Sequence, residues 1–215
     1  MSAREEILRR VRKATTDVTD GDPVTDVPVH WSYGRALATA DVLADFVEKV
    51  EDYGARVVRT HEAGVGQAVV EALVGLGATS AVLPEGLPEP WGDAVAGAVE
   101  VFRDEPALAH AQLNLIDAVV TTAAVGMADS GTIALDHGPG QGRRAISLLP
   151  DRHVCVVRAE QVVSDVPEGI ARLAPALRAR RPVTWLSGGS ATSDIELSRV
   201  EGVHGPRHLW VILVD

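Results

Sequence analysis

The sequence predicts an α/β fold, a three-layer α/β/α sandwich whose sheet is mainly parallel. Short apolar runs of strand length alternate with segments of helical periodicity along most of the chain, which is typical of a parallel sheet with helices on both faces. Hydrophobic residues make up 46% of the 215 residues, which favours a packed core over disorder. No repeat of fixed period is present, so solenoid folds are excluded.

The chain begins with a predicted helix followed by a linker. Ser2 and Glu5 stand in the S-x-x-E relation of a capping box, and Ile7, Leu8 and Val11 recur on one helical face. A stretch rich in Asp, Thr and Pro follows without periodicity and is typical of a surface linker. We therefore expect residues 1–34 to form an N-terminal helix and linker, and residues 35–215 to form the main domain.

The main domain should begin with a helix over residues 35–53, ended by a C-terminal cap at Gly54. Strands are predicted at residues 55–59, 80–83, 117–122, 131–135, 154–157, 183–186 and 209–214, and further helices at 67–76, 106–115 and 167–180. Ligands of open α/β sheets bind outside the carboxyl ends of the strands, so we expect the functional residues there.

Charge and cysteine content exclude several classes of function. The formal charge of -10 argues against nucleic acid and anionic membrane surfaces as general partners. No signal peptide and no membrane span are expected, which favours a cytoplasmic protein. The one cysteine, Cys155, lies in an apolar run and cannot hold an iron–sulfur cluster, which needs several thiolates. We expect neither a metal site nor a cofactor in this chain.

A first polar cluster, residues 129–132, interrupts two apolar runs with Asp129, Ser130, Gly131 and Thr132. An unpaired buried carboxylate is costly, so Asp129 should lie at a strand end, near solvent or a ligand. A tight turn and a functional group are both open as interpretations. Nearby, residues 136–144 form a glycine-rich loop with two arginines, which could close over a carboxylate or phosphate.

A second polar cluster extends from Ser187 to Glu196, and residues 201–206 follow it closely. Ser193 and Glu196 match a capping pattern, so a short helix is predicted near Ser193. Its free N–H groups, beside the hydroxyls of Ser190 and Thr192, would suit an anion, although ordinary capping explains the same pattern.

His204 is either available for proton transfer or an idle surface residue. His208 is four residues away, but Gly205 and Pro206 make a shared helix, and hence a zinc pair, implausible.

A glycine pattern at Gly64 and Gly66, with Glu85 about twenty residues on, is similar to a dinucleotide fingerprint. Val69 occupies the place of the third glycine, where a branched side chain would keep the helix from the strand. We interpret the segment as a plain strand-to-helix loop.

Taken together, four segments resemble the LUD-domain family: residues 129–132, 147–153, 187–196 and 202–206. The resemblance implies a sheet of the kind found in glucosamine-phosphate deaminases, ribose-phosphate isomerases and coenzyme A transferases. It also implies a part in oxidising L-lactate to pyruvate alongside iron–sulfur and cysteine-rich partner proteins. This chain would be the cluster-free component of that system.

The chain departs from the family pattern in two places. The family's Ser-Gly-Pro-Ser-Arg-Thr-Ala-Asp-Ile-Glu segment carries Gly189, Ala191 and Ser193 here in place of proline, arginine and alanine. The missing arginine at position 191 removes the most natural carboxylate clamp. In addition, Asp129 stands where the family commonly has glutamate.

These observations define the candidate site. The candidates for proton transfer are Asp129, Glu196 and His204, and those for ligand binding are Gly131, Thr132, Ser187, Gly188, Ser190, Thr192, Asp194 and Gly205. The first hypothesis is a lactate-oxidation subunit with a pocket for a small anionic metabolite, rather than a self-sufficient catalyst; oligomerisation is left open. The alternatives are a stand-alone enzyme acting on a sugar phosphate or acyl-CoA, and a non-catalytic regulatory or assembly protein.

Overall fold

The computed structural model describes residues 2–18, 21–22, 38–193, 199–202 and 204–215. The chain divides into two units, Met1–Arg35 and Ala36–Asp215. The first unit contains helix α1 (Ala3–Ala14), which begins with the predicted capping box of Ser2 and Glu5 and has no buried residue. The predicted N-terminal helix is therefore confirmed, and most of the predicted linker lies outside the described residues.

The second unit contains five further helices and twelve strands among the described residues. The helices are α2 (Val42–Asp52), α3 (Val65–Gly75), α4 (Glu89–Ala96), α5 (His110–Leu113) and α6 (Val166–Arg178). The strands are β1 (Arg56–Thr60), β2 (Ser80–Leu83), β3 (Glu100–Arg103), β4 (Ala118–Thr122), β5 (Val125–Met127), β6 (Thr132–Leu135), β7 (Arg152–Arg158), β8 (Val162–Val163), β9 (Thr184–Leu186), β10 (Ala191–Ser193), β11 (Arg199–Glu201) and β12 (His208–Val214).

The main sheet has six strands in the order β1-β12-β7-β4-β2-β3, and every neighbouring pair is parallel. Strand β12 lies between two neighbours and is buried on both faces. Its residues Trp210, Ile212 and Val214 pack on one side with α3 and α4. Leu209, Val211 and Leu213 face the opposite side, as the two-residue period of a strand requires.

The second face of the main sheet is covered by α2 and by a smaller sheet with the order β8-β5-β6-β9. Helix α6 packs on the far side of this smaller sheet, where Leu173 is buried with Met127 and Val163. A Cβ added to Gly169 of α6 would lie 2.7 Å from the Met127 sulfur, so glycine permits the close approach. The predicted α/β fold with helices on both faces is confirmed, with an inserted sheet that the sequence pattern did not indicate.

Three predicted helices begin or extend differently from the sequence prediction. Helix α2 begins at Val42, because the Asp41 carboxylate accepts hydrogen bonds from the N–H groups of Leu43 and Ala44 and caps the helix there. Only one turn, α5, forms within residues 106–115. The Asp104 carboxylate accepts from Leu108 N–H at 2.9 Å, which holds the preceding residues in a turn.

The third difference concerns the helix predicted near Ser193. Ser193 lies in strand β10, which pairs antiparallel with β11, and residues 194–198, which would form the first helical turn, lie outside the described part of the chain. Helix α4 and strands β3, β5, β8, β10 and β11 were not predicted. These elements are short, and β3 is an edge strand with both ends exposed, so their hydrophobic periodicity is weak.

The segment with the dinucleotide-like glycines is a short 3-10 turn, Glu62–Gly64, that leads into α3. A Cβ on Gly66 would lie 3.2 Å from the Ala94 Cβ of α4. This glycine therefore serves the packing of α3 on α4, in agreement with the interpretation as a strand-to-helix loop.

Candidate functional site

A cavity of about 230 Å³ lies between the second polar cluster and the amino ends of β7 and β12. Its lining residues are Leu148, His153, Thr184, Trp185, Leu186, Ser187, Gly188, Gly189, Ser190, His204, Gly205, Pro206 and Leu209. Leu209 and His153 are paired neighbours, each the second residue of its strand. The cavity thus lies at the amino edge of the main sheet and not at the carboxyl edge, where we expected the functional residues. Residues 204–206 directly precede β12, which places them at this edge.

Backbone hydrogen bonds join the two loops that form the cavity wall. Ser190 N–H donates to the Pro206 carbonyl at 2.7 Å, and Gly202 N–H donates to the Ser190 carbonyl at 3.0 Å. The Ser190 hydroxyl accepts from His204 N–H at 3.2 Å. A Cβ on Gly189 would collide with the Arg207 carbonyl oxygen. The loops that the sequence placed in one site are therefore held together, with Ser187, Gly188, Ser190, His204 and Gly205 all lining the cavity.

Thr132 links the first polar cluster to this site, because its hydroxyl lies 2.8 Å from the Ser187 hydroxyl. Asp129 is exposed in the turn between β5 and β6, where its N–H donates to the Ser164 carbonyl at 3.1 Å. Neither Asp129 nor Gly131 is a lining residue of the cavity. The backbone at Asp129 forms a tight turn, and a functional role of its side chain stays a prediction.

Gly131 and Gly188 have positive φ angles of 58° and 79° and approach the C-terminal end of α2 closely. A Cβ on Gly131 would lie 2.6 Å from the Lys49 carbonyl carbon, and one on Gly188 would collide with the Tyr53 carbonyl oxygen. Both glycines, which we expected to bind a ligand, thus have a structural reason for lacking a side chain.

Three further candidates lie where side chains are not described. Asp194 and Glu196 fall within residues 194–198, outside the described residues. Thr192 lies in the middle of β10, opposite Val200 of β11. The structure thus gives the backbone position of Thr192, and the proposed roles of these three side chains remain predictions.

His153 is a cavity residue that sequence reasoning missed. It is fully buried, and its Nε2 lies 2.8 Å from the Thr121 hydroxyl. Its Nδ1 has no hydrogen-bond partner among the described residues. Burial lowers the pKa of His153 from 6.5 to about 4, so the imidazole is neutral near pH 7. The available signal was a histidine at the start of an apolar strand, where a polar side chain needs a partner.

Cys155, two residues further along β7, is buried as predicted. Burial raises the pKa of its thiol to about 12. The thiolate, which is the reactive form, is therefore scarce near neutral pH.

A second, wider opening of about 980 Å³ lies at the carboxyl ends of β2 and β3; we call it the carboxyl-edge crevice. Among its lining residues are Glu85, Glu105, His137, Arg143, Arg144 and Arg181. Arg143 donates to the Asp104 carboxylate at 2.6 and 3.0 Å, and Arg181 donates to Asp136 at 2.8 Å. Arg144 is exposed, and no hydrogen bond or ion pair of its side chain is seen within the described ranges.

The glycine-rich loop of residues 136–144 closes the space between β2 and β4 at this edge. Gly140 N–H donates to the Glu85 carbonyl at 2.7 Å, and Thr122 N–H donates to the Gly140 carbonyl at 2.8 Å. His137 connects the two openings, because its Nε2 lies 2.8 Å from the hydroxyl of Thr184, a lining residue of the smaller cavity.

The described part of the chain contains no group of three or more His, Cys, Asp or Glu side chains arranged to hold a metal ion. None of the described helices is both long enough and apolar enough to cross a membrane.

Comparison with known proteins identifies the family. The family model described as LUD domain matches residues 43–214. The chain belongs to the LUD-domain family. The match begins inside α2, so the N-terminal unit lies outside the part that the LUD-domain model covers.

Two relatives and one solved structure are similar to this chain over most of its length. Lactate utilization protein C of Deinococcus radiodurans is 50% identical over 178 residues, which cover 83% of this chain and 82% of the relative. An uncharacterized protein of Neisseria meningitidis serogroup B is 28% identical over 232 residues, covering 100% of this chain and 94% of the relative. The crystal structure of a DUF162 family protein from Deinococcus radiodurans matches with a TM-score of 0.72 and 45% sequence identity. The match covers 83% of this chain and 99% of the chain in that structure.

Proposed function

We propose that this LUD-domain chain is a cluster-free subunit of an L-lactate utilization system. We further propose that the cavity between residues 187–190 and 204–206 holds a small anionic metabolite of that system. The name of the Deinococcus relative, which is 50% identical over most of both chains, supports the metabolic role. The joined loops around Ser190 support the choice of cavity.

The observation that carries the binding proposal is the set of hydroxyl and backbone groups that lines the cavity together with buried leucines. Ser187 and His204 are exposed at its opening and Ser190 is half-buried, whereas Leu186 and Leu209 are buried. No arginine or lysine occurs among the described lining residues. Hydroxyls and backbone N–H groups are therefore the donors that would hold a carboxylate here, in place of the arginine clamp that position 191 lacks.

The proposal also assigns the proton and electron steps. Oxidation of L-lactate to pyruvate removes two electrons and two protons, and the electrons require a redox centre. We assign that centre to iron–sulfur and cysteine-rich partner proteins in the cytoplasm, because the single buried Cys155 cannot supply the several thiolates of a cluster. His204 at the cavity mouth is the best-placed described candidate for proton transfer; Glu196 is the second candidate.

The growth experiment is deletion of the gene in a host without a paralogue, followed by complementation. We expect the deletion to abolish growth on L-lactate but not on glucose, and the complete chain to restore it. Undiminished growth of the deletion strain on L-lactate would contradict the metabolic role.

A second experiment tests the partners. The tagged chain should co-purify with proteins that carry iron, while the chain purified alone should contain none. Recovery of the chain without iron-containing proteins from lactate-grown cells would argue against the subunit model.

The carboxyl-edge crevice favours a second candidate function, a stand-alone enzyme for a sugar phosphate or acyl-CoA. Open α/β sheets bind their ligands at this edge, and the exposed Arg144 could contact a phosphate there. Glu85 or Glu105 would then be the base. Turnover by the purified chain, abolished in Arg144→Ala, is the result that would support this alternative; no turnover across a panel of such substrates would count against it.

A further inference from the structure

We propose that His153 binds the C2 oxygen of a short 2-hydroxy or 2-oxo acid at the floor of the cavity. The ligand would enter with its C2 hydroxyl or oxo group towards His153 and keep its carboxylate at the mouth. This inference rests on the proposed function for the position of the ligand and adds the group that recognises it.

The starting point is an unpaired buried polar atom on a residue that lines the cavity. Ser130 Oγ, His153 Nδ1 and Trp210 Nε1 are the buried side-chain polar atoms without a partner in the described part of the chain. Only His153 belongs to a residue that lines the cavity. Buried polar atoms in folded proteins are nearly always hydrogen-bonded, so the unpartnered Nδ1 of a cavity-lining residue is a candidate for a hydrogen bond to a ligand.

The imidazole cannot rotate to give Nδ1 a partner without losing the hydrogen bond at Nε2. Its Nε2 is held 2.8 Å from the Thr121 hydroxyl on β4, and the ring is fully buried between parallel strands. Either tautomer therefore leaves Nδ1 with an unused donor or an unused lone pair. A hydroxyl can satisfy both forms and an oxo group satisfies the donor form, so both members of a hydroxy/oxo acid pair suit the site.

The surroundings of His153 favour a neutral oxygen over a carboxylate. The buried Leu186 and Leu209 line the same cavity, and transfer of a charge into such a site without a paired cation is costly. The low pKa of His153, about 4 as a result of burial, means that it offers no positive charge near pH 7. The carboxylate should therefore stay at the mouth, near Ser187, Ser190 and His204.

The cavity is large enough for such an acid but not for a bulky ligand. A cavity of roughly 150 Å³ holds a benzene molecule in a well-studied protein, and the cavity here measures about 230 Å³. A three- or four-carbon acid fits this space.

The test compares sodium L-lactate and sodium pyruvate with sodium propionate, which has the same carboxylate and chain length but no oxygen at C2. Titration calorimetry with the full chain should give dissociation constants for lactate and pyruvate at least tenfold lower than for propionate. The reason is that a site built to hydrogen-bond an oxygen rejects the analogue without it. Equal affinities for the three acids would overturn the inference, as would failure of both lactate and pyruvate to bind.

Two variants locate the effect. His153→Phe keeps a planar ring of similar size but has no nitrogen, and it should reduce the preference for lactate over propionate to less than twofold. The double variant Thr121→Val with His153→Phe removes the Thr121 hydroxyl as well, so no polar group is left unpaired if the single variant folds poorly. A preference retained in a folded variant would contradict the role of His153.

A measurement on the unmodified chain does not depend on the folding of any variant. With ¹⁵N-labelled histidine, the His153 ring resonances should shift on addition of lactate or pyruvate and stay in place with propionate. Unmoved His153 resonances in the presence of bound lactate would refute the contact.

The growth experiment tests the metabolic role and the binding experiment tests the His153 contact, so either proposal can be contradicted without the other. If the chain supports growth on L-lactate but shows no lactate preference, the metabolic role stands and the His153 inference is wrong. If the preference is present but the gene is dispensable on L-lactate, the binding site stands and the metabolic role is wrong.

Discussion

At the scale of single residues, glycines of similar backbone conformation have different surroundings. Gly131 and Gly77 have φ angles of 58° and 67°, a region that costs other residues about 1–2 kcal/mol. A Cβ on Gly77 would meet nothing within 4 Å, whereas one on Gly131 would lie 2.6 Å from the backbone of Lys49. Substitution of Gly77 therefore tests the energetic cost of the positive φ angle alone, whereas substitution of Gly131 adds the cost of a steric clash.

We predict that Gly131→Ala lowers the free energy of unfolding by at least about 2 kcal/mol more than Gly77→Ala, which should cost about 1 kcal/mol. The reason is that Gly131→Ala must also push α2 away from β6. Urea unfolding followed by circular dichroism measures both values. Equal losses in the two variants would show that the close approach to α2 does not contribute.

His153 links burial to the pH dependence of stability. Its folded pKa is about 4, against 6.5 before burial, so the unfolded chain binds more protons between these values and stability falls as pH falls from 6.5 to 4. The contribution lost is up to about 3 kcal/mol.

The matched control for this prediction is His153→Gln, which keeps a polar side chain but does not titrate. Urea unfolding at pH 7 and at pH 4.5 should show a larger loss of stability in the natural chain than in the variant, because the carboxylates are common to both. Parallel losses would mean that His153 is not buried as a neutral imidazole.

At the scale of elements, one ion pair joins the loop after β3 to the loop after β6. Arg143 donates to Asp104 and, at 2.6 Å, to the Leu108 carbonyl. Burial by itself raises the pKa of the Asp104 carboxyl, but hydrogen bonds from Arg143 and from Leu108 N–H together outweigh it and lower the pKa overall. The pair therefore orders one side of the carboxyl-edge crevice.

We predict that Arg143→Ala lowers the free energy of unfolding by about 1–3 kcal/mol, because it leaves the half-buried Asp104 without its cation. The adjacent Arg144→Ala should change it by less than about 0.5 kcal/mol, since Arg144 is exposed and no partner of its side chain is seen in the described ranges. Thermal or urea unfolding of the two variants compares them directly. Similar effects from both substitutions would contradict the structural role of the Arg143 pair.

At the scale of the whole molecule, the chain divides into two units, Met1–Arg35 and Ala36–Asp215. Helix α1 buries none of its residues, and Ile7 and Val11 are 61% and 52% exposed. The family match also starts only at residue 43. The division of the chain into residues 1–34 and 35–215 stays a prediction from the sequence.

We expect a chain that lacks residues 1–34 to fold with a thermal midpoint within about 2 °C of the complete chain, because stability follows the surface buried in the core. Differential scanning calorimetry of both chains measures this. A decrease of more than about 5 °C would show that the N-terminal residues contribute to the core of the main unit. Loss of growth on L-lactate with unchanged stability would instead assign a functional role to the helix.

Local pattern was enough to predict most of the framework. The seven predicted strands are all present within two residues at either end, since the apolar runs that mark them belong to strands buried in a sheet, as in β12. The loops at residues 187–190 and 204–206 were recognised from their composition and from the family resemblance. Strand prediction depends on hydrophobic periodicity. Elements with weak periodicity, such as β3 and β8, therefore did not stand out in the sequence.

What only the tertiary structure decided is which polar residues meet. Asp129 lies in the turn between β5 and β6 and does not line the cavity, and Gly131 approaches α2 closely, although both belong to a polar cluster that we expected in the site. His153 enters the site because β7 and β12 pair in register beside the loop from Ser187. The physical reason is that strand patterns are set by neighbours along the chain, whereas a binding site is set by contacts between distant segments, such as Thr132 and Ser187, 55 residues apart.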